Sequence, residues 1–403
     1  MSACSSACSS AGAARRRDLI IIGAGSIGLP LAYYCAKAGL GVLVVDGEPS
    51  WGRGQNRAAI GGIRATHSDP AKIRICNESL KIISSFEEEH GIAVEWRQGG
   101  YLFVAYDEER ESAFRGLLKI QRAAGLDIDW IPPSLVAQLT PGIEESGLRG
   151  GTYSPGDGYA SPLITSTAYH RLALGSGVEF RFGERVTALE MVGDRVTAVR
   201  TDKGEYSAEL VVNAAGARAA EIAAMAGTEI PVRPDCHEGG VTEPVARFME
   251  PMLVDIRPDS HSGNYYFYQT NTGQVVFCIT PRPQVWGEDP HNTSGFLPLC
   301  SRRMIELYPR LAALKVRRTW RGAYPMTPDG LPLVGYAREA RNLLHLAGMC
   351  GQGFMIGPGL GRIMSRVLSG PGPGAEAGAA SEYGFIFEEL SPYRKFEAME
   401  LLK

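Results

Sequence analysis

Residues 17–48 read RDLIIIGAGSIGLPLAYYCAKAGLGVLVVDGE. The apolar, β-branched run Leu19 to Ile22 has the composition of a strand buried on both faces. It breaks into Gly23-Ala24-Gly25-Ser26-Ile27-Gly28, a G-x-G-x-x-G. Leu29 to Ala38 then has helical composition, with Gly39 placed to end the helix and Pro30 in its first turn, where a missing N–H costs little. Gly41 to Val45 reads as a second buried strand, and Asp46 stands at its end, 18 residues after Gly28. Strand, glycine turn, helix, strand and acid in this order make a dinucleotide-binding unit. Each part has a physical task. Gly23 permits the tight turn, Gly25 leaves room for a pyrophosphate against the backbone, and Gly28 lets helix and strand close up. The helix N-terminus presents N–H groups and a partial positive charge to the phosphates. Asp46 can accept hydrogen bonds from a ribose. The stretch does not separate a nicotinamide dinucleotide from a flavin one, since both carry the same adenosine diphosphate.

The chain of 403 residues is 44% apolar and 21% charged, the composition of an ordinary globular protein with length for two or three domains. Its formal net charge of −3 gives no reason to expect nucleic acid or an anionic membrane as partner. Apolar runs such as Leu40 to Val45, broken by Gly41, are too short to span a bilayer. The opening MSACSSACSSAGAARRRD places small polar residues before its arginines, the reverse of a secretory signal, so residues 1–16 are expected to form a disordered leader. The eight cysteines are scattered without a C-x-x-C pair. That pattern predicts no metal or iron–sulfur cluster in this chain and a reduced, cytoplasmic protein.

Four further stretches decide the cofactor. After Asp46, GEPSWGRGQNRAAIGGIRATHSDPAK is a long glycine-rich, basic loop where a nicotinamide dehydrogenase would continue with another strand and helix; a helical region, Asp69 to Glu89, follows. Arg185 to Ala219 alternates as strands and turns and ends on Asn213-Ala214-Ala215-Gly216. Arg318 to Gly335 carries Trp320…Gly322…Tyr324 and then Thr327-Pro328-Asp329-Gly330…Pro332…Gly335. Asn342 to Gly370 reads as a strand, the loop Gly351-Gln352-Gly353-Phe354-Met355, and a helix expected to begin near Pro358. With SPYRKF near the C-terminus, these blocks resemble the D-amino-acid-oxidase-like superfamily of FAD-dependent oxidoreductases, most of all the beta (flavin) subunits of heteromeric proline and sarcosine dehydrogenases. The resemblance covers nearly all of the chain from Arg17 onward.

The resemblance implies an α/β fold: a discontinuous Rossmann-like FAD-binding domain (17–96, 150–230 and 320–403) and an α+β substrate domain on an antiparallel sheet (97–149 and 231–319). Ser369 to Gly384 reads as a flexible connector. FAD would be held by Gly23, Gly25, Ser26, Ile27, Gly28 and Asp46, by Gln55, Gly61 and Gly62 of the basic loop, and by Val186, Ala215 and Gly216. Gly351, Gly353, Phe354 and Met355 would lie against the isoalloxazine. Gly322 stands where some sarcosine oxidases carry a flavin-linked cysteine, so FAD is expected to be noncovalent. At the substrate, the resemblance implies Arg64 for a carboxylate, His237 for an amine proton and Tyr266 for a second carboxylate contact. Met355 and Tyr324 replace the lysine of sarcosine oxidase and the arginine of glycine oxidase, which implies a less polar clamp. The implied activity is oxidation of the C–N bond of a small amino acid or secondary amine such as proline, sarcosine or glycine, by hydride transfer to flavin. Electrons would leave through a partner subunit carrying iron–sulfur centres or a second flavin. The alternatives are a free-standing oxidase that makes hydrogen peroxide from O₂, and a noncatalytic flavin-fold scaffold.

Overall fold

The computed structural model describes residues 17–370, 382–397 and 399–402. The expected leader, 1–16, and most of the expected connector lie outside them.

The run Leu19–Ile22 is buried throughout and sits inside a six-stranded sheet. The order is Leu333–Tyr336, Leu343–Ala347, Leu210–Asn213, Leu19–Ile22, Val42–Asp46, Glu179–Phe182. All neighbours are parallel except the first pair. Alternate residues enter two cores, as the period of a strand requires. Leu19, Ile21, Val42, Val44, Leu210 and Val212 face one cluster, while Ile20, Ile22, Leu43, Val45 and Val211 face the other. A sheet covered on both faces has its usable crevice beyond the carboxyl ends of its strands, here Ile22, Asp46, Asn213 and Ala347.

Helix Gly28–Lys37 packs on the first of these cores beside Pro70–Ser84 and Gly353–Leu368. The last of these begins at Gly353, five residues ahead of the expected start, with the Ile356 N–H donating to the Gln352 carbonyl at 3.0 Å. Pro358 falls in its second turn and removes only one helical bond. The surrounding glycines set the approach: a Cβ on Gly357 would fall on the Ser26 carbonyl, and one on Gly361 would lie 2.8 Å from the Leu31 nitrogen.

A second, eight-stranded sheet runs Val316–Met326, Arg233–Pro244, Gln274–Pro281, Ser262–Gln269, Met252–Asp255, Tyr101–Ala105, Gly150–Ser154, Asp129–Ile131. It is antiparallel except where Met252–Asp255 meets Tyr101–Ala105. Helix Phe296–Leu307 covers one face through Phe296, Cys300, Met304 and Leu307, against Tyr265, Phe267 and Phe277. The strand Val316–Met326 runs through the boundary expected at residue 320, and Gly150–Ser154 also belongs to this sheet. The physical reason is register: Val316–Met326 bonds along Arg233–Pro244 over its length and carries Gly322 and Tyr324 to the crevice of the first sheet.

Candidate active site

The crevice is a cavity of about 470 Å³. It begins at the glycine turn. Gly23 adopts a φ of +112°, and a Cβ there would fall on the Ala214 carbonyl; one on Gly28 would fall on the Gly23 carbonyl. These two glycines therefore serve turn and packing. Gly25 differs: its Cα faces open space with no atom within 4 Å of an added Cβ. Gly23, Gly25, Ser26 and Ile27 line the cavity, as do Asp46, Gln55, Val186, Ala215, Gly216, Gly351, Gly353 and Phe354. The Asp46 carboxylate accepts from the Ala24 N–H at 2.6 Å and the Glu48 N–H at 2.8 Å, which fixes the turn against the second strand. Burial raises its pKa, only partly offset by those two N–H groups.

The second helix terminus meets the first: a Cβ on Gly353 would lie 2.9 Å from the Ser26 hydroxyl. Two positive helix ends thus face one cavity. Gln55 accepts from the Ala323 N–H at 2.6 Å, and Trp320 donates to the Ala58 carbonyl at 3.0 Å, so the basic loop is tied to the strand Val316–Met326. A Cβ on Gly322 would lie 2.5 Å from the Ala58 side chain. Gly28, Gly61, Gly62 and Met355, expected at the cofactor, do not line the cavity. Gly61 and Gly62 instead sit under the hydroxyls of Tyr268 and Tyr101, and Met355 is buried in the helix core.

Tyr324 forms the wall where the two sheets meet. Around it lie two of the three expected substrate residues. The Tyr266 and Tyr324 hydroxyls are 3.2 Å apart. The His237 ring stacks on Tyr324 with centroids 3.8 Å apart and planes 16° apart. Burial raises both tyrosines, and it pushes the neighbouring Cys278 thiol up to about 11. All three remain protonated near neutral pH. Cys278 had no place among the expected site residues, and Tyr324 stood there only as the replacement for a charged clamp residue; strand register, invisible in a linear pattern, brings both beside His237 and Tyr266.

Like His237 and Tyr266, which reach this cavity only through Tyr324, Arg64, the third expected residue, does not line it. Its guanidinium donates to the carbonyls of Thr66 and Leu402 and lies over the rings of Tyr101 and Phe103. Asp157 steadies the same loop, accepting from the Ala65 N–H at 2.8 Å and the Thr66 hydroxyl at 2.6 Å. Beyond Arg64, Lys72 Nζ meets Glu400 Oε2 at 3.2 Å with both side chains fully buried, and His67 Nδ1 lies 3.9 Å from the same oxygen. The neighbouring Leu402 is buried among Tyr101, Phe103, Met252 and Tyr268. The arginine's donors are thus engaged by two main-chain carbonyls and by His67 Nδ1 at 3.1 Å, and the carbonyl of Leu402, 338 residues away, is a partner that no local motif signals.

Among the described residues no helix is long and apolar enough to cross a membrane, and no group of three His, Cys, Asp or Glu side chains could hold a metal ion. The described cysteines are buried.

Residues 18–367 match the family model for FAD dependent oxidoreductases. Sarcosine dehydrogenase of Mus musculus, a mitochondrial protein, is 26% identical over 359 residues, covering 86% of this chain and 39% of that protein. The chain thus spans about two fifths of the length of that relative. Sarcosine oxidase subunit beta of Arthrobacter sp is 28% identical over 366 residues and covered to 87% on both sides. L-proline dehydrogenase from P. horikoshii superposes with a TM-score of 0.83 at 28% identity, over 93% of this chain and 99% of that one.

Proposed function

Because the chain belongs to the family of FAD-dependent oxidoreductases, we propose that it oxidises the C–N bond of a small amino acid or secondary amine of the proline, sarcosine or glycine kind. We further assign it the role of a flavin subunit in a heteromeric, cytoplasmic dehydrogenase, whose partner carries the onward electron carriers. The observation that carries this reading is Tyr324, which is at once part of the cofactor cavity wall, stacked on His237 and hydrogen-bonded to Tyr266.

The cavity suits FAD on its own chemistry. Gly25 leaves unfilled space at one helix end, and Gly353 sets a second helix end beside it. Gly23, Ser26, Asp46, Val186, Ala215 and Gly216 would hold the adenosine diphosphate half. Gln55, Gly351, Gly353 and Phe354 would border the ring system, with no cysteine at Gly322 to link it. Bound there, FAD supplies the acceptor for a hydride leaving the carbon beside nitrogen. The chain's own residues prepare the substrate. Tyr266 and Tyr324 can donate hydrogen bonds to a carboxylate, because burial keeps both protonated. Among the groups around Tyr324, His237 is the one with a ring nitrogen able to accept an amine proton. Tyr324, standing in the cavity wall where a charged clamp residue was the alternative, fits a compact, apolar amine. Support for a partner comes from the relative that is itself a beta subunit and is covered to 87% on both sides.

The test is the visible spectrum of the purified protein mixed anaerobically with proline, sarcosine, glycine and several D-amino acids. Bleaching by one of them supports the reading and names the substrate class. Slow recolouring in air supports a dehydrogenase, and fast recolouring a free-standing oxidase. No flavin spectrum after adding FAD would overturn the reading in favour of a scaffold.

A further inference from the structure

His237 sits on the strand Arg233–Pro244, opposite Gly322, and Asp235 sits opposite Tyr324 on the same pair of strands. Residues two apart share a face of a strand, so the carboxylate and imidazole lie side by side. Asp235 is 1% exposed. Its Oδ2 lies 3.1 Å from His237 Nε2, while its Oδ1 accepts from the Val285 N–H at 2.7 Å. The second bond anchors the carboxylate to the loop that follows Arg282, leaving Oδ2 free to fix the ring. His237 is 5% exposed, and its other nitrogen, Nδ1, is buried with no hydrogen-bond partner among the described residues.

A carboxylate oxygen only accepts, so Nε2 carries the hydrogen of a neutral ring and Nδ1 carries the lone pair. A buried acceptor without a partner is unfavourable unless something else supplies the hydrogen. The ring's face is covered by Tyr324, which itself borders the cofactor cavity. The groups facing the imidazole are Asp235 on its own strand and Tyr324 on the facing strand. Behind that ring stand Tyr266 and Cys278, all three of the latter held protonated by burial.

We propose that Asp235 is a positioning residue that holds His237 as the Nε2–H tautomer, so that Nδ1 accepts the proton of an incoming ammonium substrate. The inference rests on the function proposed above. The step balances simply: one N–H bond of the ammonium breaks, one N–H bond forms at Nδ1, and the lone pair stays on the substrate nitrogen. The imidazolium so formed is stabilised by the adjoining carboxylate, and its proton returns to solvent after product leaves. An asparagine at 235 keeps the acceptor for Val285 but can turn an N–H toward Nε2, which reverses the tautomer. Such reversal is what makes the Asp-to-Asn change severe where a carboxylate orients a histidine base.

The experiment uses the FAD-loaded protein and two readouts. The first is ¹⁵N NMR of labelled histidine side chains, with His237→Gln assigning the signal. The expected result is a proton on Nε2 and none on Nδ1, reversed or mixed in Asp235→Asn. A proton on Nδ1 in the parent, or an unmoved tautomer in Asp235→Asn, overturns the proposal. The second readout is the anaerobic rate of flavin bleaching across pH by whichever of proline, sarcosine or glycine reduces the parent. Asp235→Asn should slow it roughly 10²-fold near neutral pH, move its acid limb, and leave the concentration of half-saturation nearly unchanged. The double variant Asp235→Asn/His237→Gln should be no slower than His237→Gln alone. Additive losses would mean that Asp235 acts structurally and would overturn the proposal. If Asp235→Asn does not fold, the parent tautomer and the acid limb of His237→Gln decide it. A parent that no amine bleaches overturns the proposed function and the proton-accepting role with it, whereas the tautomer signal still decides the positioning.

Discussion

The Tyr324 ring occupies the space into which a side chain on Gly351 would project, and Gly351 holds a φ of +79°. Gly351→Ala therefore meets both a left-handed backbone and a ring that is pinned by His237 and Tyr266. The expected loss of stability is about 1–3 kcal/mol, with FAD retained and bleaching by amine slowed as the ring shifts. Thermal melting together with anaerobic bleaching checks this. A variant that melts and reacts like the parent would show that the ring does not depend on the glycine.

Gly25→Val should separate folding from cofactor retention. An added Cβ at Gly25 meets nothing within 4 Å, so the fold has room for it. The same space is where a pyrophosphate would approach the backbone. The variant should show the parent's circular dichroism and lose its yellow colour on gel filtration. A yellow, reactive Gly25→Val would displace the cofactor from this turn.

Glu400→Gln would leave the Lys72 ammonium buried without its counter-charge. Breaking one side of a buried pair typically costs about 3–5 kcal/mol. Burial pushes the Glu400 carboxyl up, but the charges of Lys72 and Arg64 outweigh it, and its pKa ends below the ordinary 4.5. A depressed acid contributes stability above its unfolded pKa and loses that contribution as pH falls through the folded one. The parent should thus lose stability on acidification more steeply than Glu400→Gln does. Lys72→Met combined with Glu400→Gln should recover part of the loss. Urea unfolding from pH 3 to pH 7 would reveal any failure of that pattern.

Asp157 should titrate in the opposite sense. Burial pushes its pKa up to about 6 from 3.8, offset in part by the Thr66 hydroxyl, the Ala65 N–H and Arg64. Between those values the folded chain holds a proton that the unfolded chain has released. Stability therefore falls as pH rises through this window, by roughly 3 kcal/mol at 1.36 kcal/mol per pKa unit. Asp157→Asn removes that dependence, so its stability relative to the parent should rise between pH 4 and pH 7. A constant difference across that range would place the carboxylate's titration elsewhere.

The dinucleotide unit was legible because strand, glycine turn and helix are written in consecutive residues. Where partners lie far apart in the chain, the pattern carried less. The expectation for Arg64 stopped at its own loop, while its hydrogen bonds reach Leu402. His237 and Tyr266 were marked one by one, but the ring that joins them, Tyr324, and the carboxylate that fixes one of them, Asp235, emerge from strand register. Pro358 suggested a helix start, yet the helix begins at Gly353, since a proline in its second turn removes only one helical bond.

Lys72 and Glu400 are separated by 328 residues. A ribosome adding about 5–20 residues per second takes on the order of tens of seconds to travel that distance. Throughout that interval the lysine lacks the carboxylate that meets its ammonium at 3.2 Å in the folded chain, which favours water in the pocket it shares with Arg64 and His67. The glycine turn and its strands can form early in synthesis, but this corner of the interior dries last, when the acid arrives to close it.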